Sequence, residues 1–404
     1  MAKRTEMKNI YDNIEIMLRQ HIGGAAAPVI NVGDIVKKGQ LIAVCDGLGA
    51  NIHSSVYGRV AEISDAAVII KPDAHQPEEY VKIKDTASNL EAIKEAGVVG
   101  AGGAGFPAHI KFDINLEGGC IILNAAECEP TLFHNIRALE EDAEGIIRGM
   151  KYIMHITNAA KGYVAIKPKN KAALIAIAKA IKNDSDMEIK YLSDIYPAGD
   201  ERVVVREVLG IQLEVGRLPS AVGALVSNVE TVKRVCEAIE LRKPVITKDI
   251  TVGGRLGDTY GNSPQVFMDQ PIGAPIAHYV HKCGGYIAPI GEIVLGGPFT
   301  GERGHENSVL TKTTGGIFVA MPFPVAEKKF GILACECGAS SQRMREIVAD
   351  MGGTVVSETL CKRMVEVNGR YRCEMPGKCP GQAEAALRLK SQGAEAIISS
   401  ACED

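Results

Sequence analysis

A dense run of glycines occupies residues 100–107, which read Gly-Ala-Gly-Gly-Ala-Gly-Phe-Pro. The run contains the spacing G-x-G-x-x-G, and residues without a Cβ let the backbone approach a flat or charged ligand and direct N–H groups at it. Phe106 adds a ring that can stack on a base or a nicotinamide, and Lys111 adds a cation for a phosphate group. These residue types predict a nucleotide-like ligand, and a tight packing turn is the alternative.

The neighbouring sequence does not give this run the usual context of a dinucleotide-binding motif. That motif follows a strand and opens a helix, whereas residues 89–97 before the glycines have a helical pattern. The glycine spacing alone therefore does not predict a Rossmann fold, and the rest of the candidate site must come from other segments.

Three further segments put polar side chains at turns that follow a predicted strand or begin a predicted helix. Ligands of α/β proteins bind at the carboxyl edge of the sheet, where such turns meet. The candidate binding residues in these segments are Asn124, Glu127, Glu129, Gly199, Asp200, Glu201, Asn228 and Thr231. For Asp200 and Asn228 the alternative is a helix N-cap, a position that both residue types prefer.

Eleven cysteines without an apparent export signal favour thiol, metal or redox chemistry over structural disulfides, with small buried side chains as the alternative. Cys335 and Cys337 come after a predicted strand and before a predicted helix, whose N-terminus favours the thiolate form of a nearby cysteine. Cys402 follows another predicted strand. Because parallel strands share one carboxyl edge, we predict that these three residues converge as redox-active thiols that take up two electrons.

The cysteine spacing does not match the ferredoxin pattern C-x-x-C-x-x-C-x-x-x-C-P, of which only Cys379-Pro380 echoes the end. An iron–sulfur cluster is therefore not predicted, and one irregular cluster is the alternative. His278 and His281 lie near Cys283 but form an incomplete zinc site. The sequence thus predicts no metal ligands.

The last predicted strand, residues 396–400, is followed only by Ala-Cys-Glu-Asp, without the helix expected after such a strand. Cys-x-x-Cys is a redox spacing, and its second position falls just past the last residue. We therefore hypothesise that the reading frame continues through a UGA codon for selenocysteine, with an authentic end as the alternative. Genomic DNA beyond codon 404 distinguishes the two.

The elements that must position these residues begin with a β-rich segment. Residues 28–63 contain short runs separated by turn dipeptides, which predicts a small β-sandwich similar to the barrel-sandwich hybrid of biotinyl and lipoyl carrier domains. The hairpin tip at residues 47–51 has no lysine to carry a covalent arm. This module is therefore predicted to dock or scaffold.

The rest of the chain has mixed patterns, and the predicted fold class is multidomain α/β. Residues 88–240 alternate between strands (120–125, 161–167) and helices (89–96, 132–150, 169–183, 200–209, 228–241), which predicts a mostly parallel sheet. Residues 300–316 are predicted to be an irregular loop. The predicted boundaries are 1–85, 86–243, 244–300, a linker at 301–329, and an α/β unit at 330–404.

Composition excludes several function classes. A net charge of −4 removes the electrostatic basis for a dedicated nucleic-acid binder. No apolar run approaches the about 18 residues that cross a bilayer, and the first residues lack the apolar segment of a signal peptide. The chain is therefore predicted to be soluble and cytoplasmic.

The glycine run and the three polar segments, in this order, resemble the flavin- and NADH-binding subunit of respiratory complex I. They resemble the C subunit of the Rnf complex more closely, over about residues 20–320. The resemblance implies FMN and NADH as cofactors. It also implies a barrel-sandwich hybrid, a complex I flavin-subunit-like α/β domain and a β-grasp of the soluble-ligand-binding type, followed by a small cysteine-rich α/β unit.

The resemblance implies a role for most of the candidate residues. Those that line the FMN phosphate and isoalloxazine are Gly100, Gly102, Gly103, Ala104 and Lys111. Those implied to hydrogen-bond or neighbour the flavin are Asn124, Asn228 and Thr231. Those implied to face the nicotinamide dinucleotide are Phe106 and Glu129, with Glu201 between the two ligands. The sequence departs from the family pattern at Ala101, Ala126, Asp200 and Ser227, where arginine, aspartate, glutamate and asparagine are usual.

The resemblance implies an NADH dehydrogenase-type electron-transfer protein that passes electrons from FMN through the C-terminal cysteines to a partner reductase. Among Rnf-C-like proteins, the similarity extends to those associated with proline reductase, which implies D-proline reductase as the partner. The altered positions favour a non-catalytic adaptor as the alternative. A peripheral subunit of an Rnf-type complex is a second alternative.

Overall fold

The computed structural model of the chain describes residues 11–103 and 105–400. Its first module consists of short strands in two antiparallel sheets, with the orders β1-β7-β6-β3 and β2-β4-β5. The strands are β1 (Ile14–Met17), β2 (Ala27–Pro28), β3 (Ile35–Val36), β4 (Leu41–Val44), β5 (Ile52–His53), β6 (Gly58–Ile63) and β7 (Ala67–Pro72). Gly33, before β3, and Gly39, between β3 and β4, adopt the left-handed backbone conformation that tight turns between strands require. The predicted two-sheet module is present.

The α/β domain is built on a four-stranded sheet of order β10-β9-β8-β11, and every neighbouring pair in it is parallel. The strands are β8 (Cys120–Ala125), β9 (Lys161–Ile166), β10 (Met187–Tyr191) and β11 (Ala224–Asn228). The helices are α1 (Asn89–Glu95), α2 (Ala108–Lys111), α3 (His134–Thr157), α4 (Lys171–Ala180), α5 (Glu201–Leu209) and α6 (Val229–Cys236), with a 3₁₀ turn at Pro219–Val222 and a π-helical turn at Glu237–Leu241. Helices on both faces bury the central strands, which explains their continuous apolar runs.

The third module is a mixed sheet of order β13-β12-β16-β14-β15. Its elements are β12 (Thr247–Gly254), β13 (Gln265–Pro271), α7 (Ile276–Lys282), β14 (Ile293–Leu295), β15 (Glu302–Gly304) and β16 (Gly316–Val319). Its apolar face packs into the same core as the first module, so that Ile14 and Val68 lie in one buried cluster with Ile250 and Ile317. The first and third modules therefore form one structural body.

The irregular loop predicted for residues 300–316 was wrong at β15, which lies inside it. β16 begins at the last residue of that range and continues into the predicted linker, as a buried strand between β12 and β14. A four-residue apolar run without alternation gives too little pattern to separate a strand from a loop. The third sheet therefore extends past residue 300. Its β-grasp identity and the domain boundaries remain predictions.

The C-terminal unit has a parallel sheet of order β18-β17-β21 and a separate hairpin. Its elements are β17 (Lys329–Ala334), α8 (Ser341–Asp350), β18 (Thr354–Leu360), β19 (Met364–Val367), β20 (Arg370–Cys373), α9 (Ala383–Ser391) and β21 (Ala396–Ser399). The predicted parallel strands are present, whereas the hairpin of β19 and β20 was not predicted.

Across residues 11–103 and 105–400, no helix is both long and apolar enough to cross a bilayer.

A buried ion network joins α6 to the third sheet. Arg234 Nη2 lies 3.1 Å from Glu230 Oε1 and 3.2 Å from Asp249 Oδ1, and its Nη1 lies 2.8 Å from Asp269 Oδ1. Although burial opposes ionisation, Arg234 and Lys233 hold the pKa of Asp249 and of Asp269 below its ordinary value. The network therefore stays charged at neutral pH and fixes α6, which begins at the carboxyl end of β11.

Lys312 connects three modules from a buried position. Its Nζ donates to Asn51 O at 2.6 Å in the first module and to Gly97 O at 2.7 Å in the α/β domain. Burial lowers the pKa of Lys312 to about 7. We therefore expect the stability of the contact between these modules to depend on pH.

We expect the thermal stability of the protein, relative to a Lys312→Met variant, to rise between pH 7 and pH 10. A lysine pKa near 7 when folded and about 10.4 when unfolded means that the unfolded chain binds more protons in this window, so folding gains about 1 kcal/mol per pH unit. Thermal unfolding of the wild type, Lys312→Met and the exposed-site control Lys328→Met measures the difference. Parallel pH profiles for all three proteins would refute the expectation.

Candidate functional site

One cavity of about 620 Å³ lies where the glycine run, the carboxyl ends of β8 and β11, and two loops of the third module meet. This volume is within the about 300–1,000 Å³ of ligand-binding pockets. The predicted binding residues in its wall are Gly100, Gly102, Gly103, Phe106, Lys111, Asn124, Glu127, Glu129, Gly199, Glu201, Asn228 and Thr231. Segments far apart in the sequence therefore converge on this cavity.

The glycine run is a folded-back loop whose tip faces the cavity. Gly100 N–H donates to Phe106 O at 2.9 Å, and Gly105 N–H donates to Gly100 O at 3.0 Å. Both tip residues, Gly102 and Gly103, are exposed. Gly103 has φ +103°, and a Cβ there would meet no atom within 4 Å, so the tip presents bare backbone to open space.

Two hydrogen bonds hold the base of this loop against its surroundings. Ala101 N–H donates to Thr231 Oγ1 at 2.9 Å, which ties the loop to α6. Gly105 O accepts from Ile22 N–H at 3.1 Å, which ties it to the first module. Thr231, predicted to lie near a flavin, therefore also positions the loop that would cradle it.

Two predicted binding residues are helix N-caps. Asn228 Oδ1 accepts from Glu230 N–H at 2.9 Å and from Thr231 N–H at 3.4 Å, and Asp200 Oδ1 accepts from Arg202 N–H at 2.8 Å. The alternative stated for both residues thus holds. Asn228 caps its helix and lines the cavity as well, whereas Asp200 does not line the cavity because its carboxylate pairs with Arg202.

Asn124 fixes the spacing between β8 and the turn before α5. Its Nδ2 donates to Gly199 O at 2.9 Å, and its Oδ1 accepts from Ala126 N–H at 3.2 Å. Both ends of the amide are thus engaged within the protein, so the side chain positions two segments of the cavity wall.

The charged groups of the wall are held by specific partners. Lys111 Nζ lies 2.7 Å from Glu201 Oε1, and both side chains are partly exposed to the cavity. Glu127 Oε2 accepts from Asn135 Nδ2 at 2.8 Å. Glu129 accepts from Phe299 N–H at 3.0 Å and from the hydroxyl of Thr300. The wall therefore contains one ammonium group beside these three oriented carboxylates and a fourth carboxylate, that of Glu302.

Sequence reasoning missed several residues of the wall. Cys128, His134 and Asn135 line it, as do residues 295–297, 300–302 and 311–315 of the third module, with the exception of residue 312. His134 Nδ1 lies 3.1 Å from Thr251 Oγ1, and burial lowers the pKa of His134 to about 4, so this ring is neutral. The glycines and threonines of these loops are residue types that suit a binding site. Nothing in the neighbouring sequence, however, indicated that these loops would lie next to the glycine run.

The C-terminal unit contains a second, much smaller cavity of about 30 Å³ lined by cysteines. They are Cys335, Cys337, Cys361, Cys373 and Cys379. Cys335 and Cys337 of the predicted thiol group thus line the same cavity as Cys373. The predicted third member, Cys402, and the predicted binding residue Ala104 lie outside the described residues.

Possible metal ligands were compared across residues 11–103 and 105–400. There, no group of three or more histidine, cysteine, aspartate or glutamate side chains is arranged to hold a metal ion. The predicted absence of an iron–sulfur cluster remains a prediction.

Two family models match separate parts of the chain. Residues 2–84 match the RnfC barrel sandwich hybrid domain, and residues 93–237 match the Nuo51 FMN-binding domain. These parts of the predicted fold class are confirmed. The second match contains the glycine run and most of the polar residues that line the larger cavity.

The chain is similar to several curated proteins. The C subunit of a proton-translocating ferredoxin:NAD(+) oxidoreductase complex of Clostridium ljungdahlii is 34% identical over 321 residues, which cover 74% of this chain and 68% of that protein. The C subunit of the Na(+)-translocating complex of Acetobacterium woodii is 30% identical over 305 residues, covering 71% and 68%. The cobalamin reductase PduS of Salmonella typhimurium is 36% identical over 231 residues, covering 57% and 49%.

Proposed function

Because this chain belongs to the family of Rnf complex C subunits, we propose that it is an electron-transfer flavoprotein that takes a hydride from NADH onto FMN. The observation that carries the proposal is the cavity at the glycine run, whose wall contains twelve of the fourteen predicted binding residues. Bare backbone, an aromatic ring and an ammonium group in one cavity suit a flat ligand that carries a phosphate.

The residues present fit FMN. The exposed tip at Gly102 and Gly103 has no side chain to block a ring, and Lys111 supplies the cation for the phosphate. Asn228 and Thr231, which we assign to the flavin, line the same cavity as Phe106 and Glu129, which we assign to the nicotinamide. Bound FMN would supply the capacity to accept a hydride and release electrons.

In this account Lys111 and Glu201 act as a pair. Their contact of 2.7 Å holds the ammonium group in the cavity before a ligand arrives. A phosphate then adds a second anion beside Lys111, and a charge-assisted hydrogen bond of this kind contributes about 1.5–3 kcal/mol.

We expect Lys111→Met to weaken FMN binding about 10- to 100-fold, the factor that corresponds to this energy. Riboflavin, which has no phosphate, should bind the wild type and the variant equally. Quenching of flavin fluorescence measures both affinities, and Lys94→Met, an exposed lysine outside the cavity, is the matched control. Equal losses for FMN and riboflavin would argue against a phosphate contact.

The proposed electron exit leads from the cavity wall to the cysteines of the C-terminal unit. The Tyr196 hydroxyl donates to Cys337 O at 2.5 Å, and its ring packs edge-on against Phe299 with the centroids 4.6 Å apart. The N–H of Phe299 donates to Glu129, which lines the larger cavity. One aromatic pair therefore connects the nicotinamide side of the cavity to the turn that holds Cys335 and Cys337.

We place this protein beside a partner reductase, with D-proline reductase as the acceptor. The relatives named as C subunits of ferredoxin:NAD(+) oxidoreductase complexes support work within a larger assembly. Adding the FMN-loaded chain to D-proline reductase should make proline reduction depend on NADH. No stimulation, in protein whose flavin is bleached by NADH, would contradict this partner and leave the flavin chemistry standing.

Reconstitution tests the proposed function itself. After incubation with FMN and removal of free flavin, the chain should retain one FMN and be yellow. A colourless protein that ignores FMN would support the adaptor alternative instead.

A further inference from the structure

We infer that Cys337 and Cys373 form a reversible disulfide and are the redox-active pair of the C-terminal unit. Both line the small cavity of about 30 Å³, and both are thiols in this structure. The Cys337 thiol makes hydrogen-bonding contact with the thiols of Cys335 and Cys373. Two thiols already in contact need little movement to form an S–S bond.

The fold brings the two residues together through Glu336, which precedes Cys337. The Glu336 carboxylate accepts from Cys373 N–H at 2.6 Å and pairs with Arg372 at 2.6 Å. It also pairs with Arg202 of α5 at 2.8 Å. The Glu336 side chain thus binds the turn after β17 to the end of β20. This contact holds Cys337 and Cys373 next to each other.

Arg202 links this pair to the α/β domain. Its Nη1 donates to Cys373 O at 2.8 Å, and its backbone N–H is capped by Asp200. Asp200 and Arg202 flank Glu201, which lines the larger cavity. The residue predicted to bind a cofactor, Asp200, therefore belongs to the connection between the two cavities.

The two thiols have different proton affinities. A hydrogen bond with Cys337 lowers the pKa of Cys373 to about 7, against burial, with support from the Met375 N–H and from Arg202. Hydrogen bonds to Cys335 and Cys373, together with burial, raise the pKa of Cys337. The reduced pair therefore shares one proton between a Cys373 thiolate and a Cys337 thiol near neutral pH.

This arrangement suits exchange with a disulfide of a partner protein. Cys337, the less buried of the two, gives its proton to Cys373 and attacks the partner's disulfide, which forms a mixed disulfide and releases one partner thiol. Cys373 then attacks the Cys337 sulfur and releases the second partner thiol. The pair loses two electrons and its single proton; the partner's disulfide gains the two electrons, and its two thiols take up that proton and one more from solvent.

The return of the pair to the dithiol rests on the proposed function, because reduced flavin is the source of the two electrons there. Formation of the disulfide does not depend on flavin. One set of samples can therefore distinguish failure of the disulfide proposal from failure of the proposed flavin function.

Peptide mapping of the full chain tests the pair directly. Trypsin leaves Cys335 and Cys337 on residues 330–343, Cys361 on 346–362, Cys373 on 373–378 and Cys379 on 379–388. After diamide oxidation of flavin-free protein and blocking of the remaining thiols, we expect peptide 330–343 cross-linked to 373–378. Dithiothreitol should release the two peptides.

Three variants assign the sulfur atoms. The cross-link should persist in Cys335→Ser and disappear in Cys337→Ser and in Cys373→Ser, with thermal midpoints that show all three to be folded. An internal disulfide within 330–343, or a cross-link that survives Cys337→Ser, would overturn the inference. With FMN and NADH added, flavin that bleaches while the cross-link remains would remove the pair from the electron route.

Discussion

Valine in place of Gly102 is expected to weaken FMN binding at least about 100-fold, which corresponds to about 2.7 kcal/mol. A Cβ at this position would already lie 3.5 Å from Asn228 Cβ and Nδ2. The two methyl groups of valine must then either displace Asn228 or extend over the bare tip of the loop. Either change removes the close approach between backbone and ring on which the proposed site depends.

The same substitution at Gly24 is the matched control. A Cβ there meets nothing within 4 Å, and neither glycine has the left-handed backbone that would strain a side chain. Fluorescence quenching should therefore give wild-type affinity for Gly24→Val and an FMN affinity at least about 100-fold weaker for Gly102→Val. If Gly102→Val bound FMN as tightly as the wild type, the flavin would not bind at the glycine run.

Arg234→Met is expected to destabilise the protein by about 3–5 kcal/mol, because it leaves several buried carboxylates without their partner. Arg234 is 3% exposed, and Glu230 and Asp249 beside it are buried. The loss should be largest at neutral pH. Since the pKa values of Asp249 and Asp269 are lowered in the folded state, the network's contribution is present above their unfolded values and declines as the pH falls.

Arg137→Met is the control for this substitution. Arg137 lies on the exposed surface of α3 and pairs with Glu141 at 2.8 Å, and an exposed pair contributes about 0.2–1 kcal/mol. Thermal unfolding with both variants measures the difference. If Arg234→Met were as stable as Arg137→Met, the buried network would not be the joint between α6 and the third sheet.

The α/β part of the fold was predictable because its patterns are local. The observed bounds of β8, residues 120–125, coincide with the predicted strand, since a parallel strand covered on both faces is a continuous apolar run. α3 continues to Thr157, beyond the predicted end at residue 150, because its apolar period does not stop there. The strands β15 and β16 escaped prediction because each is only three or four residues long.

The hairpin of β19 and β20 had a clear signal that sequence reasoning did not use. Asn368 and Gly369 separate two short runs, and both adopt positive φ, as the tight turn of a two-residue hairpin requires. This omission hid the position of Cys373 at the end of β20. The predicted thiol group therefore lacked the residue that the structure places against Cys337.

The larger cavity could be predicted only in part, for a physical reason. Turns at the carboxyl edge of a parallel sheet converge by topology, so Asn124, Gly199 and Asn228 could be placed together without coordinates. The loops of the third module reach the cavity through packing between modules, and spacing along the chain does not encode such contacts. The pairing of Lys111 with Glu201 lies within the α/β domain but joins residues 90 positions apart, and spacing along the chain does not encode that contact either.

The central claim is that NADH reduces a flavin held at the glycine run. An anaerobic titration of the FMN-loaded chain with NADH, followed by visible absorbance, tests it most directly. One equivalent of NADH should bleach one equivalent of bound flavin, and Gly102→Val should carry no flavin to bleach. Bound flavin that stays oxidised in excess NADH would contradict it.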